Sequence, residues 1–143
     1  MNKILVTRLT RIPAPKGDVL HGIKATDPGF VGFGEAYFSF IHRNEIKGWK
    51  RHRRMTLNLV CPFGMVRVVV HDGTEDSTSR LTILLSPDTA EHYCRVTVPP
   101  MYWVGFEGIA ADHSILLNVA SQPHDPAEAD SVDIDAFPWP SPA

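Results

Sequence analysis

Cysteine is scarce in this chain. There are two, Cys61 and Cys94, and they stand in strand-like runs rather than in a CxxC pair. Two cysteines cannot make the disulfide framework of a small secreted domain, so buried free thiols and a reducing, cytoplasmic setting are expected. Long apolar runs are also lacking. Nothing approaches the roughly 18 residues of a membrane-spanning helix, so no membrane association is expected. The opening MNKILVTRLTRIPAPKG has too short an apolar run for a secretion signal, and arginines follow it at once. An excess of one charge is missing as well: 14 basic and 16 acidic side chains leave a formal charge of −2. That near-balance argues against a general nucleic-acid binder. Helical periodicity is absent too, and so are internal repeats and low-complexity segments.

What is present is a chain of 143 residues, 43% hydrophobic and 21% charged, which fits one soluble globular domain with a real core. Twelve prolines and ten glycines imply frequent turns. Apolar residues recur with period two. Candidate strands cover residues 3–9, 18–23, 34–41, 45–52, 55–61, 65–72, 80–85, 92–98, 101–107 and 114–120. MTLNLVC and MVRVVVHD, joined by Pro62-Phe63-Gly64, read as a hairpin, and residues 72–79 as a polar loop. About ten short, evenly spaced strands predict an all-β sandwich or barrel. From about residue 122 the composition shifts to an acidic, proline-rich tail, read as irregular chain packed on the barrel and anchored by Phe137 and Trp139.

The most informative segment is basic. Lys47, Lys50, Arg51, Arg53 and Arg54 surround Trp49 and His52. Strand alternation puts Gly48, Lys50 and His52 on one face and Lys47, Trp49 and Arg51 on the other. So many cations repel one another unless something anionic sits among them. A solvated edge strand is one reading, and neutralisation by Asp125, Glu128, Asp130, Asp133 and Asp135 of the tail is another. A groove for phosphate oxygens is the third. In such a groove a neutral His52 is a chemically reasonable base.

The run Ile46-Lys47-Gly48-Trp49-Lys50-Arg51-His52-Arg53-Arg54-Met55-Thr56 resembles the signature region of a short branch of the dTDP-4-dehydrorhamnose 3,5-epimerase family, in the cupin superfamily. GMVRVVVHD at 64–72, VPPMYWVGF at 98–106, and LNVA at 117–120 with PHDP at 123–126 agree in order and spacing. The similarity runs from about residue 34 to residue 139. It implies a cupin-type double-stranded β-helix, or jelly-roll barrel, usually a homodimer, that binds a nucleotide-diphosphate sugar without a metal or other cofactor. It also implies proton abstraction next to a 4-keto group and reprotonation on the opposite face, in surface-polysaccharide synthesis.

Carried onto this sequence, the resemblance makes His52 the base. Lys47, Trp49, Arg51, Arg53 and Arg54 fall in the region that receives the diphosphate, and Asn58 is a candidate hydrogen-bond donor to the sugar. There are departures. The family's enolate-steadying lysine falls where this chain has Thr56, Leu57 and Asn58, so Lys50 is expected to substitute. The family's tyrosine acid falls near Leu117 and Asn118, so Tyr102 is the candidate replacement. The carboxylate that pairs with the family's histidine comes from a longer C-terminal region, leaving Asp72 and the tail acids as candidates. Arg54 and Val104 stand where metal cupins carry histidines, and His21, His42, His71, His92, His113 and His124 are scattered, so no metal site is expected. The alternative to an enzyme is a non-catalytic sugar-nucleotide-binding cupin that has lost its acid–base pair.

Overall fold

The fold is described from a computed structural model, over residues 1–75, 79–110 and 112–142. Twelve strands run in order: β1 (Leu5–Arg8), β2 (Arg11–Ile12), β3 (Val19–Leu20), β4 (Glu35–His42), β5 (Ile46–His52), β6 (Leu57–Phe63), β7 (Val66–His71), β8 (Arg80–Leu85), β9 (Cys94–Val98), β10 (Trp103–Gly108), β11 (His113–Ala120) and β12 (Ala129–Ser131). Ten of them form two five-stranded antiparallel sheets, in the orders β1-β9-β6-β11-β4 and β12-β5-β10-β7-β8. β2 and β3 pair by themselves as a small hairpin. This is the all-β jelly-roll layout expected from the period-two pattern. Among the described residues no helix is long and apolar enough to cross a membrane. Residues 76–78, in the middle of the expected polar loop, lie outside the described residues.

The expected hairpin between the sixth and seventh strands does not form. β6 pairs with β9 and β11, whereas β7 pairs with β8 and β10 in the other sheet. Pro62-Phe63-Gly64 is therefore a corner that carries the chain across the sandwich. Gly64 has φ +85°, and a Cβ there would lie 2.5 Å from the Ser114 hydroxyl. That hydroxyl locks the corner by bonding both the amide and the carbonyl of Met65. A short turn between two apolar runs looks alike in sequence whether the strands pair or part.

The main core lies between the sheets, around Leu57, Leu59, Val66, Val68, Val70, Val96, Val98 and Leu116. Cys61 and Cys94 are free and buried, and burial pushes the Cys61 thiol up to about 12. A second, smaller cluster lies on the outer face of the other sheet, where Trp49, Val69 and Trp103 are covered by Ile134, Phe137 and Trp139. This explains why VRVVVH of β7 is buried at every position, Arg67 and His71 included. Its inner face meets the core and its outer face is roofed by the C-terminal tail, so both are buried.

Candidate functional site

β5 positions the site, and a bulge decides which of its side chains face inward. Opposite it on β10, Val104 pairs with Lys50 and Phe106 with Lys47, so the single Gly105 faces both Gly48 and Trp49. The extra residue resets the alternation. Lys47 consequently joins Lys50 and His52 on the inner face, and Trp49 and Arg51 turn outward. The plain alternation read from the sequence put Lys47 on the outer face.

The inner face borders a cavity of about 220 Å³ at the mouth of the barrel. Tyr37 of β4, Lys47, Lys50 and His52 of β5, Leu57 of β6, Val104 and Phe106 of β10, and Ser131 of β12 line it. His52 is 6% exposed. Its Nδ1 is hydrogen-bonded to Oε1 of Glu128, which is 3% exposed. Oε2 of the same carboxylate accepts the backbone amides of Arg54 (3.0 Å) and Met55 (3.3 Å). Burial pushes the Glu128 carboxyl up. The bonds from His52 and the two amides outweigh it and hold the group below the usual glutamate value. A carboxylate accepts only, so Nδ1 carries the shared proton, and in the neutral imidazole Nε2 is left with the lone pair. That is the form of imidazole that can take a proton from a ligand.

Local sequence places Glu128. Asp125 caps a single 3-10 turn over Pro126–Glu128, its carboxylate accepting the Ala127 amide at 3.0 Å. The turn delivers Glu128 under β5, and β12 then pairs with that strand, Ala129 opposite His52 and Asp130 opposite Arg51. The histidine's carboxylate thus comes from the short tail itself, not from a longer C-terminal region. Asp72 is not involved. It lies beyond β7, where its carboxylate accepts the Thr74 amide.

Tyr37 was missed by the sequence reading. It enters from the opposite sheet, where it pairs across the strand with Asn118. The Asn118 amide donates to the Tyr37 hydroxyl at 3.0 Å, while its carbonyl accepts the Asn58 amide at 3.1 Å. The phenol oxygen therefore accepts from the protein and keeps its own proton to give. The position that resembles the family's tyrosine thus holds an asparagine that orients a tyrosine from the next strand. Tyr102 does not reach the cavity; it is packed against the core.

The other expected ligand groups separate. Trp49 borders the cavity, but it is 1% exposed and its ring lies in the outer cluster. Arg51 lies 4.6 Å over the Trp103 ring and pairs with Asp130 at 2.9 Å. Arg53 also pairs with Asp130, and Arg54 with Asp125 at 3.2 Å. Hydrogen bonds from Arg51 and Arg53 hold the Asp130 carboxyl below its ordinary value. Three of the five cations are thus engaged by the tail. Asn58 faces away from the cavity, donating to the Gly29 carbonyl at 3.0 Å and accepting from Thr97 at 2.6 Å. Lys47 donates to the Phe40 carbonyl at 2.8 Å. Among the described residues, Lys50 makes no ion pair or side-chain hydrogen bond, and no three metal-ligating side chains come together.

A jelly-roll barrel with a carboxylate-held histidine, a phenol and two lysines at its mouth is a cupin equipped for acid–base chemistry. No family model matches the chain. A dTDP sugar isomerase from Desulfovibrio desulfuricans G20 is 31% identical with a TM-score of 0.86, and the match covers 96% of this chain and 89% of that one. A dTDP-4-dehydrorhamnose 3,5-epimerase from Sulfolobus tokodaii shares the fold at a TM-score of 0.79 and 17% identity, over 96% and 81% of the two chains. A Haloferax volcanii protein named "Probable low-salt glycan biosynthesis epimerase" is 29% identical over 100 residues, which span 66% of this chain and 62% of that protein. The chain belongs to the dTDP-sugar isomerase and epimerase family of the cupin superfamily, the family its motifs resemble.

Proposed function

We propose that this protein is an epimerase or ketoisomerase of a nucleotide-linked 4-keto sugar, dTDP- or UDP-linked, acting in surface-polysaccharide synthesis in the cytoplasm. His52 Nε2 takes the proton from the carbon next to the ketone, and the electron pair moves onto the carbonyl oxygen. Glu128 stabilises the imidazolium that forms. Lys50, with Lys47 beside it, provides positive charge for the enolate and the diphosphate. Tyr37 then returns a proton to carbon, and solvent restores both groups. Arg51, Arg53 and Arg54 act on the tail rather than on the ligand. The observation that carries this reading is the pair His52–Glu128 on one sheet and Tyr37 on the other, lining one cavity. Tyr37 and Lys50 fill the roles whose apparent loss favoured a non-catalytic binder.

We further propose a homodimer. Phe38 and Phe40 on the outer face of the edge strand β4 are 63% and 55% exposed, with Phe33 nearby in sequence at 65%, and a second copy is the occupant that would cover them. The test of the enzyme reading is incubation with dTDP-4-keto-6-deoxyglucose in deuterium oxide, with NMR as the readout. Deuterium enters next to the ketone, and His52→Ala abolishes it. A wild-type protein that binds the nucleotide yet exchanges no proton on any dTDP- or UDP-linked 4-keto sugar overturns it.

A further inference from the structure

We propose that residues 133–142 of the C-terminal tail are a strap that positions the His52–Glu128 pair from outside the barrel, with Trp139 and Phe137 as its positioning residues. Glu128 reaches His52 from a segment whose ladder with β5 spans three residues, Ala129 to Ser131, backed by the Arg53 amide on the Glu128 carbonyl at 2.8 Å and by the solvent-facing pairs of Asp130 with Arg51 and Arg53. An edge pairing so short is marginal by itself. The chain beyond Ser131 adds an anchor of a different kind, apolar and buried. Val132 and Trp49 exchange backbone hydrogen bonds at 3.2 and 3.3 Å, and the Trp49 indole donates to the Ile134 carbonyl at 3.1 Å.

Phe137 then stacks on His71 at 4.5 Å between centroids, and Trp139 packs on Trp49 at 5.2 Å. The seat is cut for the Trp139 ring: a Cβ on Gly105 would come within 2.8 Å of it. Farther along the tail, the Arg67 guanidinium, 4% exposed as a residue, donates to the Ser141 carbonyl at 2.6 Å. Trp49 is the link. It is the socket's central ring, and it lies three residues before His52 on the same strand. The anchor therefore fixes the side of β5 on which Glu128 must lie. None of these aromatic groups lines the cavity except Trp49, whose ring is in the outer cluster.

The consequence for catalysis rests on His52 being the base, but the test does not. The Nδ1 proton of His52, held by Glu128, is expected as a downfield imidazole proton in the 1H NMR spectrum of the full chain, to be assigned by its loss in His52→Asn and Glu128→Gln. Trp139→Ala is expected to speed its exchange with water at least about tenfold, because the segment carrying Glu128 opens more often. Gly105→Ala, which pushes a methyl into the Trp139 ring, acts in the same direction. Trp139→Phe, which refills the socket, restores slow exchange.

Should Trp139→Ala not fold, Gly105→Ala and the milder Phe137→Leu report on the same proton. Wild-type exchange in the folded variants overturns the strap, and so does faster exchange that Trp139→Phe does not restore. A wild-type protein without the protected proton overturns the pair itself. Turnover then adds a separate reading. The strap predicts a fall in kcat with KM nearly unchanged. Inactivity of the wild type, together with fast exchange in Trp139→Ala and slow exchange in Trp139→Phe, removes the enzyme reading and leaves the strap.

Discussion

Glu128→Gln isolates what the carboxylate does. The substitution keeps size and shape and removes only the charge and one acceptor. In the native protein Oε2 accepts two backbone amides, from Arg54 and Met55, while Oε1 faces His52 Nδ1. A glutamine has one carbonyl oxygen. Two fixed amide donors outbid one rotatable ring, because facing them with an NH2 group would leave two buried donors unsatisfied, at about 1–3 kcal/mol each. The carbonyl therefore goes to the amides and the NH2 group to His52. The imidazole must then accept at Nδ1 and carry its proton on Nε2, the nitrogen that has to be the base.

The wrong tautomer of a carboxylate-held histidine costs on the order of 10⁴ in rate in serine proteases. A similar loss in kcat is expected here. Stability should fall by only about 1–3 kcal/mol, since hydrogen bonds persist at every donor and only charge assistance is lost. Glu128→Ala is different: it leaves three buried donors bare and should destabilise by roughly 3–5 kcal/mol, the usual cost of removing one partner of a buried pair. The assay is deuterium incorporation for kcat, with urea unfolding on the same preparations. Glu128→Gln keeping more than about a tenth of the wild-type rate would refute the tautomer argument, since a factor of ten corresponds to only about 1.4 kcal/mol.

Tyr37→Phe removes the proton donor but not the base, so abstraction and exchange at carbon should survive while inverted product falls by about 10²–10⁴, as read by product NMR. Unchanged inversion would put the acid elsewhere. Asn58→Ala leaves the Thr97 hydroxyl and the Gly29 carbonyl unpartnered and should cost about 1–3 kcal/mol by urea unfolding, with KM unaltered because the side chain faces away from the cavity. His71 gives a pH dependence. Burial lowers its pKa from 6.5, with Arg80 lowering it further and Asp72 opposing, and its Nδ1 accepts the Gly73 amide at 2.9 Å. A folded value below the unfolded one contributes stability that is present above about pH 6.5 and lost as pH falls through the folded value. The urea midpoint should therefore drop in that window, and less so in His71→Gln.

The barrel was legible because period-two alternation and turn chemistry are local. The corner at Pro62-Phe63-Gly64 was not, because both strands around it look the same whether they share a sheet or not. His52 and Lys50 were legible by resemblance, and both line the cavity. Plain alternation puts Lys47 on the wrong face because one bulge, at Gly48 and Trp49, shifts the parity of everything before it, and no residue in the run announces it. Tyr37 was hidden for another reason. Its role depends on Asn118, 81 residues away, and GEAYFSFI reads as an ordinary aromatic strand.

The tail shows how magnitudes separate two readings that the sequence left open. Opposite charges at residues 47–54 and 125–135 suggest that electrostatics hold tail to barrel. The pairs do form, but Arg54 and Asp125 are 63% and 47% exposed, and such pairs contribute about 0–1 kcal/mol each and are screened by salt. Trp49 alone, fully covered, removes about 150–250 Å² from water, which at about 25 cal/mol per Å² is roughly 4–6 kcal/mol. Val69 and Trp103 of the barrel share that cover with Ile134, Phe137 and Trp139 of the tail, and the tail's share, unlike the exposed Arg54–Asp125 pair, is not screened by salt. The charges set where the tail lies along β5, Asp130 between Arg51 and Arg53; the aromatic rings keep it there. A partner carboxylate delivered on a strap held this way stays on His52 at salt concentrations that would release one held by charge.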